Sequence, residues 1–307
     1  MTNMKPQFAP IAGQAEELEP CLRRILAPNP SPMTFWGTNT YLLGSHEIAI
    51  IDPGPDNTAH LNSILKALMP GQHITHIFVT HSHIDHSPLA SRLSEITQAD
   101  IYAFGKSYEG QSKTMKSLVQ QGYSGGGEGV DPNFTPHKKI REGSLISGDD
   151  WQLGVIETPG HFSNHLSFSW KDALFTGDHI MDWASSMVSP PDGDLGDFMR
   201  SCQKLLKQNW RVFYPGHGNP VLKPKGRTEW LINHRMNREM QILDALRSGS
   251  ENPYNLAKKI YTETPKELLG AAARNVFAHL IDLRERGIVE CNMPLGFETF
   301  FKVKTQK

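Results

Sequence analysis

The sequence predicts an α/β fold: short apolar strands alternate with amphipathic helices to about residue 220, and a smaller, mainly helical carboxy-terminal part follows. Three observations carry this. Apolar runs of strand length recur between helical patterns. Several of these runs end in Gly or Thr followed by His or Asp. After Pro220 the pattern changes to long helical periodicity that closes on two alternating segments. We therefore expect residues 1–227 to form one large domain and residues 228–307 a linker helix with a small second domain.

At 307 residues and 34.4 kDa the chain can bury a substantial core. A net charge of -1 and a pI near 6.9 give no global attraction to nucleic acid or anionic membrane. Cys21, Cys202 and Cys291 lie far apart, which suits reduced thiols in a cytoplasmic protein and offers neither a disulfide framework nor a thiolate metal site. Met1 to Pro10 lacks a signal-peptide core, and no later segment has the apolar length of a membrane span, so a soluble, unprocessed chain is expected.

Proline interrupts residues 1–34, where an edge strand and turns are expected. Thr40 to Leu43 and Glu47 to Ile51 read as a hairpin that ends at Asp52. Asp52 either caps the following turn or hydrogen-bonds a metal-ligating histidine. Leu61, Ile64, Leu65 and Leu68 give Asn57 to Leu68 a helical face, and Pro70-Gly71 stops it before the strand Ile74 to Thr80. Next comes His81-Ser82-His83-Ile84-Asp85-His86, with three imidazoles and a carboxylate at a strand end. In extended backbone His81 and His83 project to one side, while Asp85 and His86 enter the next helix, Ser87 to Thr97, from another direction. Two neighbouring ions are within reach; imidazole with carboxylate suits zinc, and iron or manganese accept the same mix. His60, His73 and His76 share no loop with another candidate ligand and read as ordinary surface or partly buried histidines.

After a strand at Asp100 to Phe104 the signal weakens to Gly143. The glycine-rich stretch Gly122 to Gly129 lacks the Lys-Ser/Thr pair and following helix of a phosphate loop, so it reads as a mobile flap or a disordered insertion. Strand signals return at Leu145-Ile146, Trp151 to Leu153 and Val155 to Glu157, and His161 follows. Leu166 to Trp170 and Ala173 to Thr176 lead to Asp178. A helix at Asp197 to Gln208 and a strand at Trp210 to Tyr214 lead to His217. The shared pattern lets these side chains converge at one edge of a sheet sandwich. The segment Ser185 to Asp194 reads as a loop at the mouth, where Ser186, Asp192 or Asp194 contacts substrate or simply shapes a turn.

The set His81, His83, Asp85, His86, His161, Asp178 and His217 resembles the motif series of the metallo-β-lactamase fold hydrolases and spans most of residues 35–220. The resemblance implies an αββα sandwich with two metal ions: His81, His83 and His161 on one, Asp85, His86 and His217 on the other, and Asp178 bridging. It also implies a hydroxide between the metals as nucleophile, oriented by Asp85 as the catalytic carboxylate. His165 is left outside the ligand set, as a hydrogen-bonding partner behind the ligands or a substrate contact. Asp178 stands where a β-lactamase of this superfamily usually has Cys or Ser, and His83 where a diiron flavoprotein has Glu, so neither activity is expected. A persulfide dioxygenase shares the motif.

In the carboxy-terminal part, Thr228 to Leu246 is a long helix, with shorter helices near Asn255 to Tyr261 and Lys266 to Arg286. Gly287 to Glu290 and Glu298 to Val303 alternate like a two-stranded wing, so this part resembles a winged-helix module. With Gly37 to Tyr41 and His234-Arg235-x-x-Arg238-Glu239 it resembles the beta-lactamase-like protein 2 branch, some of whose members cleave single-stranded RNA. Mixed acidic and basic residues favour packing or mouth-shaping over nucleic-acid binding. The expectation is a metal-dependent hydrolase, with two zinc ions or iron or manganese, acting on an ester, thioester or phosphodiester. A small-molecule ester or thioester is the leading partner and RNA a possible one. The alternatives are a single-stranded RNA endonuclease, a glyoxalase II-like thioesterase, or a nucleic-acid-binding protein that has kept the fold.

Overall fold

The computed structural model describes residues 9–304; the reading of Met1 to Pro10 therefore falls almost wholly outside the described residues. Strands β1 (Ala15–Glu19), β2 (Leu22–Leu26), β3 (Asn39–Leu43), β4 (Glu47–Ile51), β5 (His73–Phe78), β6 (Asp100–Ala103) and β7 (Lys138–Lys139) form one sheet in chain order. It is antiparallel from β1 to β4 and parallel from β4 to β7. Strands β8 (Leu145–Ser147), β9 (Gln152–Glu157), β10 (Leu166–Trp170), β11 (Ala173–Gly177) and β12 (Val212–Pro215) form the second sheet.

Strand alternation sorts the core into layers. Leu43, Ile51 and Phe78 face Phe168, Phe175 and Tyr214 between the sheets, whereas their neighbours Leu42, Ile50 and Ile77 turn outward onto α1 (Thr58–Lys66) and α2 (Leu89–Thr97). On the far side, Leu174 and Phe213 pack against Leu205 of α4 (Leu195–Leu205) and Leu231 of α5 (Pro224–Leu246). The result is the expected αββα sandwich.

Topology brings the strand ends together. In the first sheet β4 and β5 are parallel. In the second, β9 and β11 run the same way because each is antiparallel to β10, and β12 is parallel to β11. The carboxy ends of β4, β5, β9, β11 and β12 lead into Asp52, the His81 loop, His161, Asp178 and His217. Backbone bonds from Leu166 N to Thr80 O at 2.8 Å and from Asn39 N to Gly216 O at 2.7 Å tie the sheets at that edge.

The carboxy-terminal part consists of α6 (Pro253–Ile260), a short 3-10 turn (Lys266–Leu268), α7 (Leu269–Glu285) and the wing strands β13 (Val289–Cys291) and β14 (Phe301–Val303). The boundary expected between residues 227 and 228 lies inside α5: Leu231 belongs to the sandwich core, whereas Ile242 and Leu246 belong to the carboxy-terminal core. The weakly patterned stretch after β6 contains a helix, α3 (Lys113–Gln120), which sequence reading missed. Its Met115 and Leu118 are buried in the carboxy-terminal core with Phe277 and Leu280 of α7. Among the described residues, no helix is long and apolar enough to cross a membrane.

Candidate metal centre

All seven side chains singled out by sequence converge, in two groups: His81, His83 and His161, and Asp85, His86, Asp178 and His217, every one buried. In the first, His81 Nε2 and His161 Nε2 lie 2.9 and 3.1 Å from His83 Nδ1. In the second, His217 Nε2 lies 3.1 Å from Asp85 Oδ2 and 3.2 Å from Asp178 Oδ2, and His86 Nε2 lies 3.4 Å from Asp178 Oδ1. Asp178 Oδ2 is also 3.7 Å from His161 Nε2, so this carboxylate sits between the groups.

The outer ring nitrogens are held from behind. His86 Nδ1 donates to Asp52 Oδ2 at 2.9 Å, His161 Nδ1 to Met187 O at 2.7 Å, and His217 Nδ1 to Gly37 O at 3.0 Å; His81 Nδ1 is 3.0 Å from Thr80 Oγ1. These bonds fix the ring orientations and turn the inner nitrogens toward one another. Asp52 also accepts from Thr80 N and Thr80 Oγ1, both at 2.8 Å, which decides between its two readings: it orients His86 and the loop, and is not a turn cap. Behind Asp178, its backbone N–H donates to His165 Nε2 at 3.3 Å while His165 Nδ1 pairs with Thr158 Oγ1 at 2.9 Å. His165 thus supports the ligand loop. His60 differs from expectation: it is fully buried, with Nε2 2.8 Å from Thr40 Oγ1.

Glycine before a ligand has a steric cause. A Cβ on Gly216 would lie 2.4 Å from Asp178 Oδ1 and 2.6 Å from His86 Cε1, so no larger side chain fits before His217. The segment Gly37 to Tyr41 holds the same loop from the opposite sheet: Asn39 Nδ2 donates to Pro215 O and Gly218 O, each at 3.0 Å, and Tyr41 OH donates to Pro215 O at 2.7 Å.

Burial pushes the His81 imidazole well below its ordinary range, His83 to about 3, and His161 downward, so all three are neutral donors at pH 7. In the second group burial also opposes charge, but the adjoining carboxylates outweigh it. They hold His86 well above its usual value and His217 at about 10. Asp85 and Asp178 are in turn driven below the carboxylate range by these imidazoles, against their own burial. Asp85 Oδ1, Asp178 Oδ1 and His83 Nε2 are buried without a hydrogen-bond partner. Two buried carboxylates with an unpartnered oxygen each, facing converged imidazole nitrogens, match a divalent cation's donor set. The residues fit metal binding.

The cluster forms the floor of a cavity of about 220 Å³. Met33, Met181, Trp183, Met187, Leu268 and Ala271 line its walls, together with Glu128, Ser185, Ser186 and Asn275. Leu268, Ala271 and Asn275 come from the carboxy-terminal part, which therefore shapes the mouth. The glycine-rich stretch reaches the rim at Gly127 and Glu128 and is anchored to the His81 loop by Ile84 N to Gly129 O at 3.0 Å and Asp131 N to Ser82 O at 2.9 Å. Of the three mouth-loop candidates, Ser186 lines the cavity but donates its hydroxyl to His179 O at 3.1 Å. Asp194 caps α4 by accepting from Asp197 N at 3.2 Å, and Asp192 is buried.

Sequence reading also singled out His234 to Glu239 without assigning it a task. Arg235 is buried and donates to Ser185 O at 2.9 Å, to Ser186 O, and to Asn275 Oδ1 at 3.0 Å, clamping the mouth loop to α7. Arg238 stacks over Tyr261 at 3.8 Å, and Glu239 pairs with Arg286 at 2.5 Å.

The metallo-beta-lactamase superfamily profile matches residues 33–217, and that of the beta-lactamase associated winged helix domain matches residues 253–293. A Beta-lactamase-like protein 2 homolog from Drosophila melanogaster is 33% identical over 86% of this chain and 88% of its own length. An atrochrysone carboxyl ACP thioesterase from Cryptosporiopsis is 29% identical over 75% of this chain and 64% of its own. A solved beta-lactamase domain protein from Burkholderia ambifaria superposes with a TM-score of 0.80 at 19% identity, over 97% of this chain and 96% of its own, a likeness of fold. The converged histidines and aspartates, the αββα sandwich and the winged helix behind it together place this chain among the enzymes of the metallo-beta-lactamase superfamily.

Proposed function

We propose that this protein is a dinuclear metal hydrolase of ester or thioester substrates with an apolar acyl group. The observation that carries the reading is the pair of buried donor groups at the floor of a cavity with mainly apolar walls. His81, His83 and His161 would hold one ion and Asp85, His86 and His217 the other, with Asp178 placed between the two groups. The imidazole and carboxylate donors favour zinc, and iron or manganese accept the same set. When bound, two such cations supply hydroxide near neutral pH and polarise the oxygen of the substrate's carbonyl.

The chain's own residues do the rest. Asp85 Oδ1, free of any hydrogen bond and lining the cavity, orients the attacking water. Met33, Met181 and Met187 exclude bulk water and take the acyl chain. A thiolate leaves near neutral pH without a proton, so thioester cleavage asks for no general acid.

The second expected reading, cleavage of single-stranded RNA, is less well supported. No Lys or Arg is among the residues lining the cavity, and Glu128 adds negative charge at its rim, whereas phosphate tracking needs cations. Three free cysteines accord with a reducing, cytoplasmic setting.

The test is metal quantification on the purified chain beside a panel of thioesters, esters, lactones, phosphodiesters and RNA, with Asp85→Ala as control. We expect two equivalents of metal and thioester hydrolysis that the control lacks. Salt-dependent RNA binding with RNA cleavage, and no acyl hydrolysis, would transfer the assignment to the nuclease reading. A metal-replete protein inert on every substrate would sink both.

A further inference from the structure

One wall of the cavity is an aromatic stack whose outer members no catalytic argument has used. Trp183 lines the cavity. Phe35 lies against it with ring centroids 4.8 Å apart and planes 14° from parallel, and Trp36 stacks on Phe35 at 4.4 Å and 28°. Phe35 and Trp36 are not among the residues lining the cavity, so the stack meets it at Trp183. The Cδ1 edge of Trp183 lies over Gly218, where a Cβ would come within 2.7 Å of it. With one face covered and one edge seated on the His217 loop, the remaining face is the one the cavity reaches.

This wall is held rigidly and tied to the catalytic floor. Arg227 donates to Met181 O at 2.7 Å and Ala184 O at 2.6 Å, gripping the backbone on both sides of Trp183. Phe35 adopts a left-handed backbone conformation, φ 58°, in a turn closed by Phe35 N to Ser31 O and Gly37 N to Thr34 O, both at 2.9 Å. A bulky side chain keeps such a conformation only where its surroundings impose it. Gly37, at the end of that turn, accepts the hydrogen bond that orients His217. Leu268 and Ala271, from the turn before α7 and its first residues, line the same cavity.

Aromatic rings prefer offset, near-parallel packing, and a flat ring on the free face of Trp183 would extend the existing stack by one member. A puckered ring of equal carbon count would bury similar area without that fit. We infer that Trp183, backed by Phe35 and Trp36, is a specificity-determining residue that selects a planar aromatic acyl group. The inference builds on the acyl-hydrolase reading above and names the substrate class within it.

The experiment compares benzoyl and cyclohexanecarbonyl thioesters of one thiol on the metal-loaded enzyme, and separately measures binding of 2-naphthoate, which cannot be hydrolysed. Trp183→Leu should lower the benzoyl-to-cyclohexanecarbonyl ratio of kcat/KM about two- to tenfold relative to wild type, mainly through KM, as expected for loss of one aromatic stack. Trp183→Phe should keep most of the ratio, which separates recognition from misfolding. Phe35→Leu should lower it by less. If both thioesters are cleaved and the ratio is the same in wild type and Trp183→Leu, the inference is overturned while the hydrolase reading stands. If neither is cleaved but 2-naphthoate binds wild type and not Trp183→Leu, the hydrolase reading fails and the aromatic subsite stands. Absence of both cleavage and binding overturns both.

Discussion

At the floor of the cavity, four of the five clustered imidazoles have their outer nitrogen held by Thr80, Asp52, Met187 O or Gly37 O, and the loops that carry them are cross-braced between two sheets. At the mouth, the walls come from distant parts of the chain: the turn at Met33, the loop at Met181 to Met187, the glycine-rich rim and α7. Strand ends position the floor, and side-chain clamps position the mouth. The floor should accordingly respond to substitution through metal retention, the mouth through substrate choice and stability.

The largest effect expected is at the residue between the two groups. Asp178→Asn should lose metal and turnover together, by more than the roughly 10–100-fold that removal of an outer partner costs. Two full equivalents of metal with unchanged turnover would remove its bridging role. Asp52→Ala leaves every inner donor in place and unseats His86, so metal affinity or activity should fall about 10–100-fold; competition with a chelator reads this directly, and wild-type affinity would show that the floor tolerates a loose imidazole.

At the mouth, Arg235→Leu removes a buried charge together with its bonds to Ser185, Ser186 and Asn275. Hydrogen bonds to charged groups are worth about 1.5–3 kcal/mol each, offset here by relief of a buried guanidinium, so a net loss of about 1–3 kcal/mol is expected. Metal content should stay full and KM should rise. Depleted metal with unchanged KM would mean that the clamp serves the floor instead.

A last effect is a pH dependence within the mouth loop itself. Burial raises the Asp192 carboxyl from 3.8 to about 7, with Arg274 opposing the shift. Asp192 keeps its proton in the folded chain where the unfolded chain has lost it, so between about pH 4 and 7 unfolding releases a proton and stability falls as pH rises. Asp192→Asn cannot ionise and should lack this slope, gaining on wild type in denaturant midpoint at pH 8 relative to pH 5. Parallel pH profiles for the two proteins would show that Asp192 does not titrate in this way.

The same contrast explains what could be read from the sequence. Each of the clustered floor residues stands a few residues beyond an apolar strand, often behind a Gly or Thr, so His81 through His217 announced themselves by local pattern. Asp52 was legible as one of two alternatives because it too ends a strand. Mouth residues have no such grammar: Trp183 follows Asp182 in an irregular loop, and Asn275 reaches the cavity from a helix whose placement no local periodicity encodes; Arg235 stood out in the sequence, but its grip on Ser185 O and Ser186 O did not. Helix α3 was missed for a related reason. It has only two fully buried apolar residues, Met115 and Leu118, and the surface that covers them is encoded far downstream.

That arrangement of α3 bears on how the protein is made. Met115 and Leu118 leave the ribosome well before Phe277, Leu280 and Phe301, which cover them. Throughout that interval the stretch between β6 and β7 has apolar surface and no partner, the condition under which nascent chains recruit chaperones or stick to one another. The sandwich can order as it emerges; the finished mouth must wait for synthesis to pass β14.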